Sequence, residues 1–149
     1  MPAACAEYRG STVAPRSRLG TLRSVSTPDV LLVDDDPRFR EVARNLLPAW
    51  GFEVAGEAST GKEALESASA LRPAIVLLDI QLPDTDGFDV ARRLLATSAP
   101  PAVVLISTRE AIDYGRRIGD CGALGFITKS HLSGDTLRAL LHGGADDEP

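Results

Sequence analysis

Short apolar runs alternate with amphipathic stretches through the central part of the chain. Three runs are continuously apolar and rich in β-branched residues, which is typical of strands buried on both faces of a parallel sheet. Two shorter and less apolar stretches complete the set of candidate strands. The five predicted strands are Val30–Val33, Glu53–Glu57, Ala74–Leu78, Ala102–Ile106 and Gly125–Thr128.

Helical patterns fill the intervals between these strands. Asp36 is a suitable N-cap and Pro37 a suitable first-turn residue for the first helix, whose end is marked by Pro48 and Gly51. Apolar positions recur at helical spacing in the other intervals as well. The four further predicted helices span about Lys62–Leu71, Phe88–Ala96, Glu110–Ile118 and Ser133–Leu141.

Five β–α units therefore follow one another over residues 29–142. Right-handed crossovers between parallel strands then predict an α/β fold in which a doubly wound, five-stranded parallel sheet is flanked by five helices. Ligands of such sheets bind beyond the carboxyl ends of the strands. The residues that follow each apolar run are therefore the first candidates for a functional site.

Composition and charge narrow the class of protein. The chain has 149 residues, of which 44% are hydrophobic and 25% charged, as is ordinary for one globular domain. No apolar run approaches the roughly 18 residues of a transmembrane helix. The net charge of −5 argues against a surface that binds nucleic acid through broad phosphate contact. Cys5 and Cys121 form neither a disulfide scaffold nor a metal cluster, so a reduced, cytoplasmic compartment is expected.

The two ends of the chain differ from its centre in charge. Residues 1–28 carry four Arg and one Glu, are rich in Ser, Thr and Pro, and lack apolar periodicity, so we expect a disordered leader. Gly143 and Gly144 are expected to end the last helix, which leaves residues 143–149 as an acidic tail. The acidity of interest is therefore that of residues 29–142.

Polar groups stand at the ends of four predicted strands. The run Asp34–Asp36 follows the first strand, Asp79 the third, Ser107 and Thr108 the fourth, and Lys129 the fifth. Each has an ordinary structural explanation when taken alone, such as a helix cap or a surface position, and the combination is what indicates function. Carboxylates that share one pocket repel each other, and a hard divalent cation such as Mg²⁺ relieves that repulsion.

The order and spacing of these groups resemble the receiver domain of two-component response regulators, over residues 29–142. The most specific stretch is 79–87 (DIQLPDTDG), an Asp with Pro four residues and Gly eight residues further on. Three other stretches carry the resemblance: 30–37 (VLLVDDDP), 103–107 (VVLIS) and 125–129 (GFITK). The resemblance implies a flavodoxin-like sheet with strand order 2-1-3-4-5, in a signalling domain that is at most a slow autophosphatase.

The resemblance also implies roles for the acidic residues. Asp79 would be the phosphoacceptor and a ligand of Mg²⁺. Asp35 would bind the ion directly and Asp34 mainly through water, and the backbone carbonyl of Gln81 would be a further protein ligand. Asp36 is better suited to cap the first helix.

The switch residues follow from the same resemblance. Ser107, rather than Thr108, matches the hydroxyl of the family because it directly ends the strand and lies 22 residues before Lys129. Lys129 would pair with a phosphoryl oxygen. Ser107 and the aromatic Phe126 would then change the face formed by helix four, strand five and helix five.

Protein partners are expected on both sides of this reaction. A sensor histidine kinase or a phosphotransfer protein would donate the phosphoryl group, and a downstream effector, or a second copy in a homodimer, would receive the signal. Since no output domain follows residue 142, we expect a stand-alone receiver or a truncated regulator. Direct DNA binding and membrane association are not expected.

Three other interpretations fit parts of the pattern. A phosphohydrolase of the haloacid dehalogenase type needs an Asp two residues after its nucleophile, where this chain has Gln81. A flavodoxin-like cofactor binder needs a Ser/Thr/Gly-rich loop after strand one, where this chain has three Asp. A pseudo-receiver, a binding module that works without phosphorylation, usually lacks an acid, the hydroxyl or the lysine. All of these are present here, and Thr108 is the main departure that keeps this alternative open.

Overall fold

The computed structural model describes residues 27–146, in which five strands and five α-helices alternate. The predicted leader lies outside the described residues except for its last two positions, and so do residues 147–149 of the predicted tail. The strands are β1 (Asp29–Val33), β2 (Glu53–Ala58), β3 (Ile75–Asp79), β4 (Ala102–Ser107) and β5 (Gly125–Thr128). The helices are α1 (Pro37–Ala49), α2 (Gly61–Leu71), α3 (Gly87–Leu95), α4 (Arg117–Asp120) and α5 (Gly134–Asp146).

The strands form a single parallel sheet in the order β2-β1-β3-β4-β5. This confirms both the doubly wound fold and the expected strand order. The three continuously apolar runs are the three central strands, β1, β3 and β4, none of which has an exposed residue. Because neighbouring strands are parallel, the ends of β1, β3, β4 and β5 lie along one edge of the sheet.

Helices cover both faces of the sheet and bury two apolar clusters. On one face α2 and α3 contribute Ala64, Phe88 and Leu94 to a cluster with the strands. On the other face α1 and α5 contribute Leu47 and Leu137. Phe88 is fully buried directly after the loop that follows β3, so this loop is anchored close to the sheet edge.

Side-chain caps fix where the helices begin around that edge. The Asp36 carboxylate accepts a hydrogen bond from the backbone N–H of Arg38 at 2.9 Å, which confirms its predicted role as the N-cap of α1. Asp84, in the loop after β3, accepts hydrogen bonds from the first two N–H groups of α2, those of Gly61 (2.8 Å) and Lys62 (3.0 Å). These caps tie the loops after β1 and β3 to the helices beside them.

The predicted fourth helix, Glu110–Ile118, is wrong. This segment contains one 3₁₀ turn, Ala111–Asp113, and then the four-residue helix α4. Gly115 has a φ of +60°, a left-handed conformation that interrupts helical continuation. Only two side chains between residues 110 and 120 are even partly buried, so the segment lacks the apolar contacts that stabilise most protein helices.

The predicted end of the fifth helix is also wrong, because α5 continues through Gly143 and Gly144 to Asp146. Adding residues to an existing helix requires propagation only, without the unfavourable nucleation step. The Gly143-Gly144 pair costs helical stability but does not forbid helical backbone angles, and no proline lies in this stretch. The first four residues of the predicted acidic tail are therefore helical.

None of the helices in residues 27–146 combines the length and the apolar character needed to cross a membrane.

We predict that Gly87→Ala destabilises the fold by about 1–3 kcal/mol, because overpacking against backbone cannot be relieved by a side-chain rotation. A Cβ at Gly87 would lie 2.5 Å from the carbonyl oxygen of Asp79 and 2.7 Å from the Cα of Ile80. Urea unfolding measures the loss. Gly119→Ala is the matched control, since a Cβ there meets nothing within 4 Å. Equal stability of the two variants would contradict the close approach of the β3 end to α3.

Candidate functional site

Three carboxylates come together at the carboxyl ends of β1 and β3. Asp34 directly follows β1, Asp79 is the last residue of β3, and both are buried. Asp35 is exposed and lies next to them. One oxygen from each of the three lies within 4.8 Å of those of the other two. The structure therefore assembles the predicted acidic pocket from residues 45 positions apart in the chain.

Lys129 reaches this pocket from the end of β5. Its Nζ lies 2.6 Å from Asp34 Oδ2 and 3.3 Å from Asp79 Oδ2, and its side chain is only 14% exposed. The ammonium also lies 4.6 Å from the centre of the Phe39 ring, which covers one side of it. One ammonium thus forms ion pairs with two buried carboxylates, and the pocket as a whole carries excess negative charge.

One carboxylate oxygen in the pocket is left without a hydrogen bond. Asp34 Oδ1 accepts from the backbone N–H of Asp36 at 2.8 Å. Asp34 Oδ2 is buried, and although the Lys129 ammonium is close, no donor is aligned with this oxygen for a hydrogen bond. Its contact is the ion pair with Lys129, whose ammonium it shares with Asp79. Hard oxygen donors with excess negative charge are the set that Mg²⁺ prefers, so the residues present fit this ion.

The pKa values of the pocket reflect this crowding. Burial, and then the neighbouring charge of Asp34, raise the pKa of Asp79 to about 6. The backbone N–H of Gln81 and the Lys129 ammonium oppose that rise only in part. Burial lowers the pKa of Lys129, but contact with the Asp34 carboxylate and the charge of Asp79 outweigh burial, so the net pKa is raised. Lys129 therefore stays charged at neutral pH.

Gln81 lies at the rim of the pocket. Its backbone N–H donates to Asp79 Oδ1 at 3.1 Å, and its side chain is exposed. It forms an isolated antiparallel bridge with Asp86, so the loop between β3 and α3 is held closed across its base. The role of the Gln81 carbonyl as a metal ligand stays a prediction.

The candidate hydroxyl lies on the other side of Asp79. Ser107 ends β4 and is fully buried, whereas Thr108 is exposed, as expected if Ser107 faces the site. Ser107 Oγ accepts a hydrogen bond from the backbone N–H of Arg109 at 3.1 Å. It also lies 2.7 Å from the hydroxyl of Tyr114, a second hydrogen bond in which either group can be the donor.

An aromatic group connects this hydroxyl to the predicted switch residue. Phe126 on β5 is half-buried, and its ring centre lies 6.0 Å from that of Tyr114. Tyr114 also contacts Phe88 in an edge-to-face arrangement, with 5.6 Å between the ring centres. Tyr114 was not among the predicted site residues, because residues 110–118 were predicted to form a regular helix. The available signal was a tyrosine seven residues after a strand-end hydroxyl.

Comparison with known proteins gives one consistent family. The family described as the response regulator receiver domain matches residues 30–142. Among curated proteins, the positive alginate biosynthesis regulatory protein of Pseudomonas aeruginosa is 40% identical over 114 residues, which are 75% of this chain and 45% of that protein. The transcriptional regulatory protein PdtaR of Mycobacterium tuberculosis is 32% identical over 113 residues, which are 74% of this chain and 54% of that protein.

Solved structures agree with this grouping. A two-component response regulator of the LuxR family from Aurantimonas is 27% identical with a TM-score of 0.72, and the match covers 81% of this chain and 87% of that one. The chemotaxis response regulator CheY4 of Vibrio cholerae is 25% identical with a TM-score of 0.68, and the match covers 78% of this chain and 98% of that one. The chain spans about half the length of the curated relatives it matches.

We predict a pH-dependent stability difference between the metal-free protein and its Asp79→Asn variant. Because the pKa of Asp79 is raised from 3.8 to about 6 on folding, the native state binds this proton more tightly than the unfolded chain does. The contribution of Asp79 protonation to the free energy of unfolding is therefore fully present near pH 4 and is lost as the pH rises through about 6. The free energy of unfolding of Asp79→Asn minus that of the wild type should therefore be about 1–3 kcal/mol larger at about pH 7.5 than near pH 4.

Urea unfolding in the presence of a chelator at the two pH values measures this difference. If the variant and the wild type differ by the same free energy at both pH values, the pKa of Asp79 is not raised by folding.

Proposed function

The chain belongs to the response regulator receiver domain family of two-component systems, and from that premise we propose that Asp79 accepts a phosphoryl group from a phosphohistidine. The observation that carries the proposal is the pocket itself. The buried carboxylate of Asp79 lies within reach of two further carboxylates and of the Lys129 ammonium, at the strand edge where ligands of this fold bind.

The transfer needs one nucleophile from this chain, and a proton on the other ring nitrogen of the phosphohistidine lets the ring leave as neutral imidazole. A carboxylate oxygen of Asp79 attacks phosphorus while the bond between phosphorus and the histidine nitrogen breaks. The electron pair of that bond stays on the imidazole, and the product is an acyl phosphate on Asp79. With a pKa of about 6, Asp79 is mainly ionised at neutral pH and is therefore able to attack.

The surrounding residues handle the charge of the transferring group. Asp34, Asp35 and Asp79, with the backbone carbonyl of Gln81, are the residues that would hold Mg²⁺. When bound, the ion supplies positive charge that screens the phosphoryl oxygens. Lys129 lies 3.3 Å from Asp79 Oδ2, so its ammonium is placed to pair with an oxygen of a group attached there.

The signal then passes to the hydroxyl side of the site. An acyl phosphate adds about two negative charges near the end of β4. Ser107 donates a hydrogen bond to it by moving toward Asp79, and Phe126 turns into the space that opens. The face made by α4, β5 and α5 then changes shape, so a charge added at one residue alters a partner-binding surface.

The partners we propose are proteins on both sides of this switch. A sensor histidine kinase or a phosphotransfer protein supplies the phosphoryl group, and an effector, or a second copy of the chain, binds the changed face. The domain signals in the cytoplasm and does not contact DNA or membrane directly. The pseudo-receiver alternative is disfavoured because both acids, the hydroxyl and the lysine are present and lie around one point of the sheet edge.

Labelling with acetyl phosphate tests this proposal. We predict that the wild-type protein gains roughly 80 Da, one phosphoryl group, when Mg²⁺ is present and gains nothing in chelator. Asp79→Asn should not be labelled under either condition, because it lacks the nucleophile. The readout is intact mass.

Asp36→Asn is the matched control for this experiment. Asp36 belongs to the same acidic run but caps α1, a role that Asn also fills, so labelling should match the wild type. A wild-type protein that is never labelled would contradict the proposal and favour a phosphorylation-independent binding module. Labelling that survives in Asp79→Asn would place the acceptor elsewhere.

A further inference from the structure

Among residues 27–146, Tyr114 is the one side chain that hydrogen-bonds to Ser107. We propose that Tyr114 is a positioning residue, which sets the resting orientation of the Ser107 hydroxyl and competes with the phosphoryl group for it. This inference rests on the proposed function, because it concerns the step at which Ser107 moves toward a phosphorylated Asp79.

The hydrogen-bonding capacity of Ser107 supports this competition. A serine hydroxyl has one proton and two lone pairs. The backbone N–H of Arg109 occupies one lone pair at 3.1 Å, and the Tyr114 hydroxyl, at 2.7 Å, takes either the other lone pair or the proton. If Ser107 donates to Tyr114, its only proton is not available to a phosphoryl oxygen. If Tyr114 donates, the bond still holds the Ser107 oxygen in its resting place.

The position of the Tyr114 hydroxyl is fixed by packing of its ring. The ring contacts Phe88, which is fully buried, at 5.6 Å between centres, and Phe126 at 6.0 Å. The guanidinium of Arg117 lies 4.3 Å from the centre of the Phe88 ring and pairs with Asp86 at 3.1 Å. Tyr114 is thus held by two aromatic neighbours and is able to act on Ser107 as a defined partner.

The hydrogen bond between Ser107 and Tyr114 connects the phosphoryl site to a weakly packed segment. Residues 111–113 are exposed, with Ile112 86% exposed, and only a short helix follows. Tyr114 and Ile118 are the partly buried side chains of this segment, so Tyr114 provides much of its attachment. When Ser107 leaves Tyr114, the segment loses its hydrogen bond to the end of β4 and keeps the pair between Arg117 and Asp86. Phosphorylation would therefore change the conformation of residues 111–120 as well as that of Phe126.

The variant Tyr114→Phe tests this inference, because it keeps the ring and removes the hydroxyl. The probe is beryllium trifluoride, an analogue of the phosphoryl group, titrated with excess Mg²⁺. Loss of a hydrogen bond that opposes binding should lower the dissociation constant by about two- to tenfold. In the unloaded variant, the amide resonance of Arg109 should shift part of the way toward its position in the loaded wild type.

Two further variants separate positioning from a general structural effect. Thr97→Val removes a hydroxyl that donates to the Leu94 carbonyl at 2.8 Å, at the opposite end of the sheet, and should bind the analogue as the wild type does. In a Ser107→Ala background, Tyr114→Phe should have no further effect on the dissociation constant, because the partner of its hydroxyl is already absent.

The outcomes distinguish this inference from the proposed function. If wild-type Asp79 is labelled by acetyl phosphate but Tyr114→Phe binds the analogue as the wild type does, or more weakly, the inference is overturned and the proposed function stands. A gain that persists in the Ser107→Ala background would also overturn it. Failure of the wild type to be labelled on Asp79 overturns both.

Discussion

The structure depends on a pair of buried carboxylates that share one ammonium. Asp34 and Asp79 are brought side by side because β1 and β3 are adjacent parallel strands, and Lys129 comes from the far edge of the same sheet. One positive charge is shared by two buried carboxylates, and burial together with the neighbouring charge of Asp34 raises the pKa of Asp79. Lys129 alone does not neutralise the three carboxylates, and this excess negative charge is what makes the pocket a candidate site for a divalent cation.

The acidic side of the pocket is held rigidly. The backbone N–H of Asp34 donates to the Ala58 carbonyl on β2 at 3.0 Å, and the Arg40 side chain donates to the Asp34 carbonyl at 2.6 Å. Arg40 in turn pairs with Glu57 at 3.1 Å. The hydroxyl side is different, since Ser107 leads into exposed residues with a single short helix. A fixed acceptor beside a hydroxyl that leads into a weakly packed segment is an arrangement suited to a switch, in which charge is added on one side and movement follows on the other.

Much of this arrangement was predictable from the sequence, for a physical reason. Continuous apolar runs identify central strands of a parallel sheet, and parallel strands place the residues that follow them at one edge, so Asp34, Asp79 and Lys129 could be expected to meet. The cap at Asp36 was predictable because its signal is local. The break of the fourth helix was not, because apolar spacing in 110–118 fits a helix, and only tertiary contact decides whether that face is buried. The contact of Tyr114 with Ser107 depended on that break and was missed with it.

The central claim is that this pocket binds a divalent cation because Asp34 and Asp79 are underneutralised, and a calorimetric titration with Mg²⁺ near neutral pH tests it most directly. The account predicts one saturable site in the wild type, an affinity about 10- to 100-fold lower in Asp34→Asn, and an unchanged affinity in Asp36→Asn. Absence of saturable binding in the wild type, or equal affinity in Asp34→Asn, would contradict it.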